Sequence, residues 1–181
     1  MRAFVGLPLS DPDLDRLEDL QAAVRVGRAV VPENLHLTLA FLDEQDVATL
    51  EALHAGLAQI ALPALPLVVD HLDVMGGANP RVLCAMVADD PGLSALHAQV
   101  RSAVRQAEID LPRTRFRPHI TLTRFPRRME PAAHHALAQF LGASGAARLE
   151  LAPVTRFILY QSVLAPEGPT YIPLAEYPLG G

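Results

Sequence analysis

The 181-residue chain has no lysine, one cysteine, no long apolar run and no excess of positive charge. A single cysteine, Cys84, excludes an intramolecular disulfide and a thiolate zinc cage built from this chain alone. It lies in the apolar run Val82 to Val87, which predicts a buried, inert thiol. The longest uncharged stretch, Ala55 to Val69, is interrupted by Gln59, Pro63 and Pro66. No segment reaches the roughly 20 apolar residues of a membrane span, so no membrane insertion is expected. The opening Met1-Arg-Ala-Phe-Val-Gly-Leu lacks the apolar core and small-residue cleavage site of a signal peptide, and the expected address is the cytoplasm. A net charge of -5 argues against non-specific coating of nucleic acid, which needs many phosphate-neutralising cations. Half of the residues are apolar and 19% are charged, enough to build a core, and the length fits a single domain spanning 1–181.

Because lysine is absent, all fifteen basic residues are arginine. Six of them, at 113, 115, 117, 124, 127 and 128, fall in one stretch without an acid, leaving nine against twenty acids elsewhere. This basic segment reads either as a solvated loop or as a phosphate-gripping surface. The planar guanidinium fork suits phosphate, while exclusive arginine use also fits genome composition.

The order of elements is mixed. Arg2 to Leu7 reads as a strand, and Ser10 caps a helix with Leu14, Leu17, Leu20 and Val24 at helical spacing until Gly27. After the turn at Pro32-Glu33-Asn34, Leu35 to Leu42 alternates as a strand. Asp43 to Asp46 reads as a turn and cap, and a second helix carries Val47, Leu50, Leu53, Leu57 and Ile60 and stops at Pro63. Leu65 to Val74 and Arg81 to Ala88 form a hairpin around Gly76-Gly77, and Asp90-Pro91 opens a third helix that ends near Asp110 to Pro112. A strand through Phe125, a helix around Pro131 to Leu141, a loop at Gly142 to Gly145 and strands at Val154 to Leu164 and Tyr171 to Pro178 complete the chain. The pattern lacks the rhythm and glycine-rich turn of a dinucleotide fold, and predicts α+β with mostly antiparallel sheet and outer helices.

His36-Leu-Thr38-Leu-Ala-Phe-Leu and His119-Ile-Thr121-Leu-Thr-Arg-Phe form a repeat 83 residues apart, one copy in each sequence half, about 1–88 and 89–181. With seven His and seven Thr, about 0.27 such triplets are expected by chance, and a pair arises roughly three times in a hundred. Residues two apart on a strand share a face, so each His projects beside its Thr while Leu37, Leu39, Ile120 and Leu122 face the core. Two halves packed about a pseudo-two-fold axis would enclose a cleft with two imidazoles and two hydroxyls. A histidine's pKa of about 6.5 lets one ring be neutral while the other is protonated. In-line attack at phosphorus needs such groups on opposite sides. Either histidine alone reads as an ordinary core or surface residue; the pair does not. His-x-Thr lacks the second ligand of His-rich zinc motifs, so no metal is expected, and no context supports a serine or cysteine nucleophile. The remaining histidines, 54, 71, 97, 134 and 135, have no paired Thr and read as structural or solvated.

The segments Pro32-Glu33-Asn34-Leu35-His36-Leu-Thr38-Leu-Ala-Phe41-Leu and Phe116-Arg-Pro118-His119-Ile-Thr121-Leu-Thr-Arg124 resemble those of the 2H phosphoesterases, in particular the bacterial and archaeal RNA 2',3'-cyclic phosphodiesterases once described as 2'-5' RNA ligases. Met1-Arg-Ala-Phe-Val resembles the family's opening strand, and Leu159-Tyr-Gln-Ser162 with Gly168, Tyr171 and Tyr177-Pro-Leu its closing strands. The chain departs from the pattern at Asp43, where a glycine often follows Phe-Leu, and at Ala29-Val30-Val31, where an aromatic is common.

The resemblance implies a bilobal fold with the site between lobes and no cofactor. It implies opening of RNA 2',3'-cyclic phosphate ends, tRNA fragments among them, to 2'-phosphates. His36 would be the proton donor, His119 the proton acceptor, and Thr38 and Thr121 would hold phosphate oxygens; the chemistry alone allows either order of acid and base. Arg124 matches a family position for phosphate or nucleotide binding. Strict alternation turns it away from His119, but a bulge near the strand end would redirect it. Phe41 reads as core on the apolar side of its strand, with base stacking as the functional alternative. The same motifs fit a small cyclic nucleotide, an ADP-ribose cyclic phosphate or a 2'-5' oligonucleotide, and possible reverse ligation. A non-catalytic RNA-end-binding module is the rival from another class. A monomer is the default.

Overall fold

The computed structural model describes residues 1–166 and 168–180. Among these residues nine strands form one curled antiparallel sheet flanked by helices. In chain order the elements are β1 (Arg2–Leu7), α1 (Asp11–Ala22), β2 (Arg28–Ala29), a 3-10 turn (Pro32–Asn34), β3 (Leu37–Glu44), α2 (Val47–Leu57), β4 (Leu65–Met75) and β5 (Val82–Val87). They continue with α3 (Pro91–Gln106), β6 (His119–Arg124), α4 (Pro131–Ser144), β7 (Leu149–Val154), β8 (Arg156–Ala165) and β9 (Gly168–Pro178).

Side-chain caps start three of the helices, as the sequence predicts. Ser10 accepts from the Asp13 amide, Asp46 from Thr49 at 2.7 Å and Asp90 from Leu93 at 2.9 Å, each satisfying an otherwise orphaned donor. Leu50, Leu53 and Leu57 of α2 and Leu93, Leu96, Val100 and Val104 of α3 are buried in one continuous core with Leu37, Leu39, Ile120 and Leu122. Cys84 is fully buried, as predicted.

The strands run β7-β4-β5-β6-β3-β1-β8-β9, with β2 added alongside β6. The middle of this order is the contact of the two motif strands, where Leu37 of β3 pairs with Ile120 of β6. Four strands lie on each side. One group, β4 to β7, comes from the middle of the chain; the other, β1, β3, β8 and β9, unites its two ends. This spatial grouping cuts across the stretches 1–88 and 89–181.

Both motif strands slip register shortly after their histidines. On β3, Thr38 pairs with Gly6 but Ala40 with Val5, so Leu39 is the inserted residue. On β6, Thr121 pairs with Cys84 but Thr123 with Leu83, so Leu122 is the inserted residue. A bulge reverses the alternation beyond it. From His36 to Phe41 and from His119 to Arg124 the sequence of exposures is the same: half-buried, buried, half-buried, buried, buried, exposed. Phe41 is 46% exposed, which overturns its reading as core.

Smaller differences have local causes. The first helix stops at Ala22, because Gly27 (φ 81) turns the chain back to lay β2 along β6; the Gln21 side chain holds that return by donating to the carbonyls of Val30 and Leu122. The fourth helix runs through the expected loop to Ser144. The strand expected at Val154 to Leu164 is β8, and ahead of it, across Thr155, lies β7, a strand the sequence pattern did not reveal.

Asp43 has a φ of 58°, a left-handed conformation that glycine adopts freely and Asp tolerates. The departure at this position therefore conserves a backbone requirement. Replacing Asp43 by valine is expected to lower stability in urea unfolding by about 1–3 kcal/mol, while Asp43→Gly folds normally.

Candidate active site

The antiparallel contact at Leu37 and Ile120 brings both His-x-Thr pairs to one cleft of about 210 Å³. His36, Thr38, His119 and Thr121 all line it. The two bulges bring Phe41 and Arg124 to the same wall. All six residues singled out in the sequence thus meet in one place, while the other histidines lie elsewhere. His54 bonds the Tyr177 hydroxyl at 2.9 Å, His97 stacks on Phe116, His71 pairs with Asp70, and His134 and His135 are exposed on α4.

The two imidazoles are oriented in the same way. Nδ1 of His36 bonds the carbonyl oxygen of Asn34 at 2.8 Å, and Nδ1 of His119 bonds that of Arg117 at 2.7 Å, each two residues upstream. A carbonyl can only accept, so Nδ1 carries the hydrogen in both rings and a neutral ring holds its lone pair on Nε2. At His36 the Thr38 hydroxyl donates to that lone pair at 3.0 Å. Nε2 is therefore the nitrogen each ring offers for proton transfer.

Their surroundings differ. Phe4 packs against the His36 ring at 4.7 Å, and Tyr171 meets it edge-on at 5.1 Å and 88°. Phe4 also stacks on Tyr160 at 4.9 Å, which extends the apolar wall. Close packing continues beneath, where a Cβ on Gly6 would lie 3.3 Å from His36 Cδ2. Burial lowers the His36 pKa to about 4, against the raising effect of the Asn34 bond, and the charges of Arg124 and His119 lower it further. His36 is accordingly neutral at pH 7. Cys84, beside Thr121, has its thiol pushed up to about 11 by burial and stays protonated.

Several cleft residues were not predicted as site residues: Phe4, Tyr171, Arg28, Ser162 and Asn34. Ser162 and Tyr171 belong to the closing-strand resemblance, which was the only signal available for them. Phe41 carries the Arg2 guanidinium at 5.0 Å from its ring centroid, a cation–π contact on the exposed rim. Among the described residues no three His, Cys, Asp or Glu side chains are grouped for a metal ion.

The chain is similar to known RNA 2',3'-cyclic phosphodiesterases. A curated RNA 2',3'-cyclic phosphodiesterase of Thermus thermophilus is 31% identical, over 100% of this chain and 91% of its own. One of the same description from Archaeoglobus fulgidus is 25% identical, over 94% of this chain and 96% of its own. Among solved structures, E. coli LigT complexed with 3'-AMP superposes with a TM-score of 0.79 at 26% identity, covering 99% of this chain and 98% of that one. The 2'-5' RNA ligase superfamily profile matches residues 9–162, and the chain belongs to that superfamily, the 2H phosphoesterases.

Proposed function

We propose that this protein hydrolyses 2',3'-cyclic phosphate ends of RNA to 2'-phosphomonoesters by metal-independent acid/base catalysis, with His36 as proton donor and His119 as proton acceptor. The observation that carries the reading is the pair of imidazoles in one cleft, each with Nδ1 tied to a backbone carbonyl and Nε2 left for chemistry. The activity of the Thermus and Archaeoglobus relatives supports the substrate.

In the proposed reaction His119 Nε2 takes a proton from water as its oxygen attacks phosphorus. The bond from phosphorus to O3' breaks on the opposite side, and His36 Nε2–H protonates the departing oxygen. The hydroxyls of Thr38 and Thr121 donate to the non-bridging oxygens, and Arg124 offsets the charge gained as a diester becomes a monoester. Phe41 stacks on the terminal base. A 5'-hydroxyl in place of water would give a 2'-5' linkage by the same proton transfers; in water, hydrolysis dominates.

We further propose that 1–181 acts as a single bilobal domain and a monomer, with a local two-fold axis between Leu37 and Ile120. The matching exposures, bulges and Nδ1 contacts of the two motif strands support that symmetry. We also place its action in the cytoplasm, with tRNA fragments among the substrates; no helix of the described residues is long and apolar enough to cross a membrane.

The donor role requires that His36 gain a proton when substrate binds, since its pKa in the free protein is about 4. An anionic phosphate against Nε2 acts in that direction. In NMR titrations the His36 ring is expected to titrate near pH 4 in the free protein and at least two units higher with a 2'-nucleotide bound. A midpoint that stays near 4 would give the donor role to His119.

Activity is expected to fall on the order of 10²- to 10⁴-fold in His36→Ala and in His119→Ala, assayed with EDTA on an RNA ending in a 2',3'-cyclic phosphate. A folded His119→Ala protein with full activity would refute the reading.

The same burial has a stability consequence. His36 titrates near 4 when folded and near 6.5 when unfolded, so between these values the unfolded chain binds more protons. The contribution is complete above pH 6.5 and is lost as pH falls toward 4. Urea unfolding of His36→Ala should show a shallower loss of stability than wild type across that window.

A further inference from the structure

Three segments remote in sequence meet at the Arg124 end of β6. Arg28 on β2 and Val82 on β5 both pair with Arg124, from its two sides. Arg81 follows closely, because the Phe125 amide donates to its carbonyl oxygen at 2.8 Å. A Cβ on Gly27 would lie 2.6 Å from the Arg124 carbonyl oxygen, so the β2 turn is pressed against β6. Residues 24–31, 75–82 and 124–129 together hold six arginines and no Asp or Glu, on a chain that elsewhere has nine arginines against twenty acids.

Arg81, Arg124, Arg127 and Arg128 are exposed, and no salt bridge joins them to a carboxylate among the described residues. Arg28 and Arg124 line the cleft; Arg81, Arg127 and Arg128 lie outside it, Arg81 next to Phe125 and the other two in the chain that follows Arg124. The other half of the basic segment behaves differently. Arg117 is 3.7 Å from Asp73, and Arg115 and Arg117 share a separate groove with Asp70 and Asp89. Carboxylates therefore accompany Arg115 and Arg117 before His119, whereas Arg124, Arg127 and Arg128 have no ion pair among the described residues.

We infer that Arg81, Arg127 and Arg128 form a track for the phosphodiester backbone of a single-stranded RNA whose cyclic phosphate end occupies the cleft, making a polynucleotide rather than a mononucleotide the preferred substrate. The inference rests on the function proposed above and adds the surface along which the strand leaves the cleft. A cyclic phosphate uses both the 2' and 3' oxygens of the last ribose, so the strand can continue only from that ribose's 5' oxygen. The first backbone phosphates then leave the cleft over a wall, and the uncompensated arginines make this edge the one that attracts them. Arginine's bidentate fork suits each phosphate, and the contact is independent of sequence.

The test compares 2',3'-cyclic AMP with an adenylate hexamer ending in a 2',3'-cyclic phosphate, for wild type and the Arg81→Ala/Arg127→Ala/Arg128→Ala triple variant at 50 and 300 mM salt. Wild type is expected to favour the hexamer in kcat/KM by about tenfold or more at low salt, and the advantage should shrink at high salt as counterion release weakens. The triple variant should lose that advantage and keep its kcat/KM on cyclic AMP within about twofold, which also reports intact folding.

Binding of a labelled hexamer ending in a 2'-phosphate, read by anisotropy, separates this inference from the catalytic one. Loss of the log–log salt slope by roughly two in the triple variant supports the track, with about 0.7 expected per single-strand phosphate contact. Equal hexamer binding by wild type and variant, or a hexamer preference that survives in the variant, overturns it even where cyclic AMP is turned over. Hydrolysis of neither substrate would refute the proposed function, and the anisotropy result would still decide the track.

Discussion

Everything at the cleft depends on one antiparallel contact, Leu37 against Ile120, between strands 83 residues apart in the chain. Both residues are fully buried, and the core beneath them holds the strands in register. A one-residue slip in either strand would turn His and Thr into that core and bring leucines to the cleft, so burial of the apolar face specifies the chemical face. Each strand then bulges after its Thr. The bulge converts a two-residue motif into a three-residue one, adding Phe41 on one strand and Arg124 on the other.

Similar backbones carry different electrostatics. The His36 ring is enclosed by Phe4 and Tyr171 and faces the positive charge of Arg124, and it gives up its proton readily. Such a ring binds an anion by taking up a proton, which couples its charge state to the arrival of phosphate. The free protein therefore keeps His36, the donor of the proposed reaction, uncharged in a partly apolar wall, where an unpaired cation would be costly. Thr38 donates to the lone pair meanwhile, and in the proposed reaction its hydroxyl turns to a phosphate oxygen.

Much of this was legible in the sequence because it follows from local rules. Ser10, Asp46 and Asp90 announce helix starts, and the period of two places His36 with Thr38 and His119 with Thr121. What was not legible depends on pairing between distant strands. The inserted Leu39 and Leu122 look like ordinary apolar positions until Gly6, Val5, Leu83 and Cys84 set the register opposite them. The aromatic wall around His36 is assembled from β1, β8 and β9, and no single segment contains its pattern. Likewise three remote segments bring Arg28, Arg81 and Arg124 to one edge, whereas within the contiguous run Arg117 pairs with Asp73. The strand order also separates what the chain joins, since β4 and β5 belong with β6 and β7 rather than with β1 and β3.

Central to the account is that the two Nε2 atoms flank the reacting phosphorus, one on the side of attack and one on the side of departure. The most direct test is a crystal structure with adenosine 2',3'-vanadate, whose five-coordinate centre mimics in-line displacement. His36 Nε2 is expected within hydrogen-bond distance of the apical ribose O3', and His119 Nε2 within the same distance of the opposite apical oxygen. Thr38 and Thr121 should bond the equatorial oxygens. Both imidazoles on one side of the vanadium, or either one out of reach of an apical oxygen, would contradict it.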